Sequence, residues 1–171
     1  NRLDESIENF NKAISINKNY YTAYHNRAVV KKLLLKFDDA IKDFDEALRI
    51  NPKYSNSLFF KAITQLKIGD YENGWKNYEQ RWETTNFPSP KRNFKQPCWN
   101  GNDDLNNKII LIHGEQGLGD NIQFVRYFNL IKSKAKKAIL QVDKKLVQLL
   151  KECNFDNYIF SNDEKLPEFD F

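Results

Sequence analysis

The chain has 171 residues, of which 40% are hydrophobic and 29% charged, with Gly 6 and Pro 5. That composition excludes a disordered or collagen-like polymer and is ordinary for globular domains. No stretch approaches the roughly 18 consecutive apolar residues of a membrane-spanning helix. The net charge of +4 is evenly divided, with 14 basic against 12 acidic residues before Pro88 and 13 against 11 from Pro88 onward. Neither half is the basic lobe expected of a nucleic-acid binder. Cys98 and Cys153 are far apart and match no metal-ligand spacing, so no metal site is expected, and a reduced, cytoplasmic setting is the default reading. The sequence contains no methionine and opens Asn1-Arg2-Leu3 without a basic-then-apolar leader. It is therefore expected to be a piece of a longer protein, clipped at both ends.

The first half repeats itself. Leu3, Phe37 and Tyr71 begin similar segments 34 residues apart. Small residues recur at Ser6, Ala40 and Gly74, aromatics at Phe10, Phe44 and Tyr78, and Ala28 and Ala62 share the same spacing. Such a period with fixed small and large positions predicts stacked helical hairpins. Within one segment Ile41, Phe44, Ala47 and Leu48 fall at helical spacing. Asn51-Pro52 ends one hairpin, because proline cannot continue a helix.

These residues resemble the tetratricopeptide repeat (TPR) family. Tyr24, Ala28, Phe37, Ala40, Phe44, Ala47 and Pro52 occupy the signature positions of one repeat, and Leu58, Ala62, Gly69, Tyr71, Gly74 and Tyr78 those of the next. The opening segment matches only the second helix of a repeat. Arg81 replaces the usual alanine, so the array is expected to stop there, giving TPR repeats over 1–86. The resemblance implies a concave groove for a protein or peptide partner, lined by Thr22, His25, Asn26, Val29 and Lys32, then Asn56, Phe59, Phe60 and Ile63. Asn26 stands where some arrays place an asparagine ladder that holds a peptide backbone. A plainer reading makes His25 and Asn26 solvated groove residues. Phe59 and Phe60, adjacent on a helix, cannot both face one core, so one is expected to pack on the next module or on a ligand.

Residues 87–107, with Pro88, Pro90 and Pro97 followed by Asn100-Gly101-Asn102, read as a docked linker. Trp75, Trp82 and Trp99 are expected to plug the last hairpin. From 108 the period changes. Apolar β-rich runs at Lys108–His113, Ala138–Val142 and Tyr158–Phe160 alternate with helical patterns at 121–131 and 146–150. Strands alternating with helices predict a partial α/β, Rossmann-like parallel sheet over 108–171.

The Gly114-Glu115-Gln116-Gly117-Leu118-Gly119-Asp120 turn lies where the first strand hands over to a helix. Glycines there permit positive φ and close ligand approach, with phosphate suited to the helix N-terminus. The run is not a P-loop, and its glycine spacing departs from the dinucleotide fingerprint. Asp143, ending the second strand, keeps a dinucleotide reading open.

Trp99-Asn100-Gly101, Lys108 to Ile112 and the run from Glu115 to Tyr127 resemble bacterial TPR proteins carrying a C-terminal glycosyltransferase-like domain of the GT-B type. Leu118-Gly119-Asp120 is also similar to heptosyltransferases. The resemblance implies Asp120 as general base, Gly114, Glu115, Gln116, Gly117 and Gly119 as a phosphate or cleft loop, and a nucleotide sugar as donor. It implies no cofactor in this chain. The donor is held largely by a second lobe, so these residues alone are expected to be inactive. The alternative for Asp120 is a helix N-cap. The alternatives for the protein are a non-catalytic TPR scaffold or a dinucleotide-binding module.

Overall fold

A computed structural model describes residues 2–84, 87–89, 91–153, 155 and 159–171. The chain divides into two compact units, Asn1–Phe87 and Pro88–Phe171.

The first unit is helical: α1 (Arg2–Ile16), α2 (Tyr21–Leu33), α3 (Phe37–Ile50), α4 (Ser55–Ile68) and α5 (Tyr71–Tyr78), ending in a 3-10 turn, Glu79–Glu83. The small residues found in the sequence are the contact points. Ala28 and Ala40 are fully buried where α2 meets α3, and Phe44 fills the space beside them with Val29 and Phe60 packed against it. At Gly74 a Cβ would fall 2.7 Å from Leu66 Cδ2, so only glycine permits this approach of α5 to α4.

Polar contacts repeat with the same period. Arg27 on α2 reaches back to Asn11 Oδ1 on α1 at 2.6 Å, and Lys61 on α4, 34 residues later, reaches back to Asp45 Oδ1 on α3 at 2.6 Å. Arg27 also grips Asp43 of α3 with two hydrogen bonds of 2.7 and 2.6 Å, and Lys31 pairs with the same carboxylate at 2.8 Å. In the next hairpin the positions of Lys31 and Asp43 hold Gln65 and Asn77, which form a neutral amide bond of 2.9 Å.

The array changes where Arg81 stands in place of alanine. The α-helix tightens into the 3-10 turn, and Arg81 lies buried with its guanidinium 4.4 Å from the Trp82 ring centroid and 5.0 Å from that of Tyr78. Its charge is met by Glu79 at 2.7 Å. Trp82 in turn packs edge-on to Phe87.

The second unit holds a three-stranded parallel sheet in the order β1 (Ile109–His113), β2 (Lys137–Val142), β3 (Ile159–Ser161). Residues 170 and 171 run along the other edge of β1: Asp170 N–H donates to Ile109 O, and Leu111 N–H donates to Phe171 O, each at 2.8 Å. β1 therefore has neighbours on both sides. Ile110, Ala138, Leu140 and Val142 form the core with Phe128, Leu146 and Leu150 from the helices and Leu105 from the segment before β1.

Leu105 and Trp99 thus belong to this unit's packing, and Trp99 Nε1 donates to Asp103 O at 2.9 Å. Of the expected linker, Phe87 falls in the first unit and 88–107 in the second. Pro90, and Tyr158 of the expected third strand, lie outside the described residues. The helix expected across 121–131 is interrupted: α6 (Leu118–Phe124) and α7 (Phe128–Lys132) flank a 3-10 turn, Val125–Tyr127. Val125, Phe128 and Ile131 face the core, whereas Phe124 lies one position off that stripe and is exposed. The last helix is α8 (Lys144–Glu152).

Leu35 and Gly69 are equivalent positions 34 residues apart, and both take positive φ, +60° and +88°, as α2 and α4 end. Glycine accepts this conformation freely, whereas a leucine there carries steric strain of roughly 1–2 kcal/mol. The Leu35 side chain is 66% exposed, so its removal forfeits little packing. Leu35→Gly is expected to raise stability by about 1 kcal/mol in chemical denaturation, and Gly69→Leu to lower it by about the same amount.

Candidate functional site

The residues expected to function fall on two surfaces: the outer face of α2 and α4, and the turn that follows β1. On α2, Arg27, Ala28 and Lys31 face α1 and α3, and on α4, Lys61, Ala62 and Gln65 face α3 and α5. Helical periodicity then puts Thr22, Asn26 and Val29 of α2, with Asn56, Phe60 and Ile63 of α4, on the opposite face. Asn26 is exposed and the others are half-buried. Lys32 lies over the Phe60 ring, 4.7 Å from its centroid. Burial, and then the nearby Lys67, draw the Lys32 ammonium below its ordinary pKa. Neither lysine makes an ion pair among the described residues, so this end of the face is electropositive.

Two expected groove residues belong elsewhere. His25 is 7% exposed, wedged between α2 and α4, and packs against the rings of Phe44, Tyr54 and Phe60. Its Nδ1 and Ser57 Oγ share a hydrogen bond of 2.9 Å. It is neither solvated nor open to a peptide, because its position on the helix turns it toward the neighbouring hairpin. Phe59, the equivalent residue of the next hairpin, packs against Tyr78 and Phe87. Phe87 stands beside Phe59 much as Tyr54 stands beside His25. Of the adjacent pair, Phe59 closes the array while Phe60 stays by the outer face.

In the turn after β1 the expected roles are redistributed. None of Gly114, Gly117 and Gly119 has positive φ; Gln116 does, at +58°. Gly114 serves a close approach instead. A Cβ there would sit 1.7 Å from Asn121 Oδ1, because the Asn121 side chain folds back over the loop, its Nδ2 donating to Glu115 O at 3.2 Å and Gly117 O at 2.8 Å. Gly117 is the N-cap of α6, and Gly119 sits in its first turn with open space around it. Asp120 is therefore not the cap. It is the third residue of α6, exposed, and its carboxylate makes no hydrogen bond among the described residues. Glu115 is half-buried and Gln116 exposed. Asp143 is the true cap, of α8: its Oδ1 accepts from Lys145 N–H at 2.9 Å. The carboxylate that a dinucleotide would use for its ribose is thus engaged by backbone.

The expected docked linker carried no site residue, yet its Ser89, Arg92 and Phe94 meet residues at and beyond the carboxyl ends of the strands. Ser89 Oγ accepts from Gln116 N–H at 3.1 Å. Arg92 donates to Gln141 Oε1 on β2 and to Asn162 Oδ1 beyond β3. Phe94 packs against the rings of His113 and Phe169. No periodicity marks such residues; only the proline-rich spacing hinted that the segment is held in place. Among the described residues no group of three His, Cys, Asp or Glu could hold a metal ion. No helix of the described residues is long and apolar enough to cross a membrane.

Residues 21–54 match the tetratricopeptide repeat family. One tetratricopeptide repeat thus comprises α2, α3 and their turns. Among solved structures, the chain is similar to the second TPR of Spaghetti (RPAP3) bound to the HSP90 peptide SRMEEVD, at 19% identity and TM-score 0.45, over 47% of this chain and 74% of that one. It is similar to the TPR2B domain of yeast Sti1 in complex with pHsp70, at 20% identity and TM-score 0.45, over 46% and 63%. It is also similar to MamA, at 19% identity and TM-score 0.45, over 47% of each chain. No curated protein matches the chain.

His25 yields a pH prediction. Burial, and secondarily Lys32, push its pKa from 6.5 down to about 4. The unfolded chain takes up this proton near pH 6.5 and the folded chain only near pH 4, so stability is complete above 6.5 and falls as the solution is acidified between these values. Thermal melts from pH 7 to 5 are expected to show this loss. His25→Phe, copying Phe59, forfeits the Ser57 hydrogen bond, about 1 kcal/mol, but flattens the slope.

Proposed function

We propose that the helical unit is a binding module whose outer face on α2 and α4 holds an extended segment of a protein partner. One observation carries the reading: Asn26 is exposed, and Val29, Asn56 and Ile63 half-buried, on the side of α2 and α4 turned away from α1, α3 and α5, with the half-buried Phe60 ring at its margin beneath Lys32. The asparagine amides offer both donors and acceptors to a peptide backbone, and the apolar residues offer pockets for its side chains. Lys32 and Lys67 bias the face toward a segment bearing carboxylates. Selection from a displayed library of random heptapeptides is expected to enrich acidic sequences. Binding of the enriched peptides should weaken tenfold or more in Ile63→Glu, about 1.4 kcal/mol, with the helical content unchanged. Failure to enrich, or equal binding by the variant, would overturn the reading.

The second unit is read as part of a glycosyltransferase of the GT-B type in a larger parent. The supporting observation is the exposed Asp120 carboxylate on the first turn of α6, just past the carboxyl end of β1. In open α/β sheets ligands bind outside the carboxyl ends of the strands, where strand order reverses. There Asp120 would take the proton of an acceptor hydroxyl as its oxygen attacks the anomeric carbon, with the nucleoside diphosphate leaving. In the parent, Asp120→Asn is expected to lower kcat by about a hundredfold or more. Unchanged turnover would remove Asp120 from the reaction and favour the non-catalytic scaffold.

A further inference from the structure

Arg92 holds a full positive charge against two neutral acceptors. One N–H donates to Gln141 Oε1 at the carboxyl end of β2, another to Asn162 Oδ1 at 3.0 Å just beyond β3. Gln141 is 4% exposed, and its Nε2 donates to Ser161 O at 3.3 Å, which fixes the amide with its oxygen toward the guanidinium. Arg92 makes no ion pair among the described residues, and Glu115 acts on it only at longer range. A guanidinium whose task is to staple a loop is most strongly held by a carboxylate, as Asp43 holds Arg27 in the other unit. Here the guanidinium is oriented by amides and has N–H groups to spare, with only the more distant Glu115 to offset its charge.

Its place in the fold adds the second argument. Both acceptors sit at the carboxyl ends of parallel strands. β1, paired with β2 on one side and met by residues 170–171 on the other, ends at the same carboxyl edge of the sheet. That is the edge at which open parallel sheets receive small molecules.

We propose that Arg92 is the anion-binding residue of a small-molecule subsite at the carboxyl edge of the sheet, taking a phosphate or carboxylate group of the ligand. The subsite does not depend on glycosyl transfer: any metabolite carrying such a group satisfies it, and loss of the Asp120 reading leaves it intact.

The test is calorimetric titration of the full chain with inorganic pyrophosphate, citrate and uridine diphosphate, at about 150 mM salt to screen diffuse attraction. At least one anion is expected to bind, about tenfold or more weakly in Arg92→Gln, with Arg92→Lys in between because it keeps charge but not the planar fork. Preference for citrate would assign a carboxylate ligand. Preference for pyrophosphate would assign a phosphate, and tighter binding of uridine diphosphate a nucleotide. Binding of none of the three, or equal binding by wild type and Arg92→Gln, overturns the proposal. If Arg92→Gln does not fold, the Arg92 Nε–H resonance of the wild type, assigned through Arg92→Lys, decides: movement on pyrophosphate addition supports the site, and a fixed resonance overturns it.

Discussion

Asp43 carries a full charge at 4% exposure, and the helical unit is arranged around keeping it paired. An uncompensated carboxylate in such a place would cost several kcal/mol, roughly 3–5 when one partner of a buried pair is removed. Arg27 and Lys31 both come from α2, one turn apart, so the carboxylate of α3 fixes rotation and height of one helix against the other. Arg27 then extends the contact to Asn11, tying α1 to the same point. The alanines bring the helices close, but Ala28 on Ala40 tolerates sliding; the directional ion pair does not. With the register of α2 on α3 set, the rows of Asn26 and Val29 beside Asn56, Phe60 and Ile63 follow from the 34-residue repeat.

The second unit relies on a different device, the use of backbone edges. β1 is paired along both sides, its outer edge being met by residues 170–171. Near its carboxyl end Phe94 packs against the His113 ring. The turn after β1 is held from within by the Asn121 amide and from outside by Ser89. Asp120 is left as an exposed carboxylate on the first turn of α6, the helix that this held turn leads into.

The repeat was legible because its cause is geometric: two helices crossing closely need small residues, and stacking requires them at a fixed interval. Parallel strands were legible as short apolar runs because both their faces are covered. What escaped the sequence were one-position distinctions. His25 and Asn26 are adjacent and both polar, yet 100° of helical rotation buries one and exposes the other. Asp120 read as a cap because aspartate favours that place, but Gly117 begins the helix three residues earlier. The glycine-rich turn permits positive φ at its glycines, yet Gln116 is the residue that adopts it, and Gly114 makes room for a side chain from the following helix. Arg92 had no signal at all, since its partners lie 49 and 70 residues away.

The two hairpins, alike in shape, are fastened by different chemistry. Lys31 and Asp43 join the first by opposite charges; Gln65 and Asn77 join the second by amides. Dissolved ions reach a pair as buried as Lys31–Asp43 only weakly, and scarcely touch amides. In a stack where each repeat leans only on its neighbours, each junction answers for itself. The difference therefore lies in what each junction tolerates: losing one partner leaves a buried ion unpaired in the first hairpin, but only a neutral amide in the second. The repeat copies its shape along the chain while the penalty for a single replacement changes from one junction to the next.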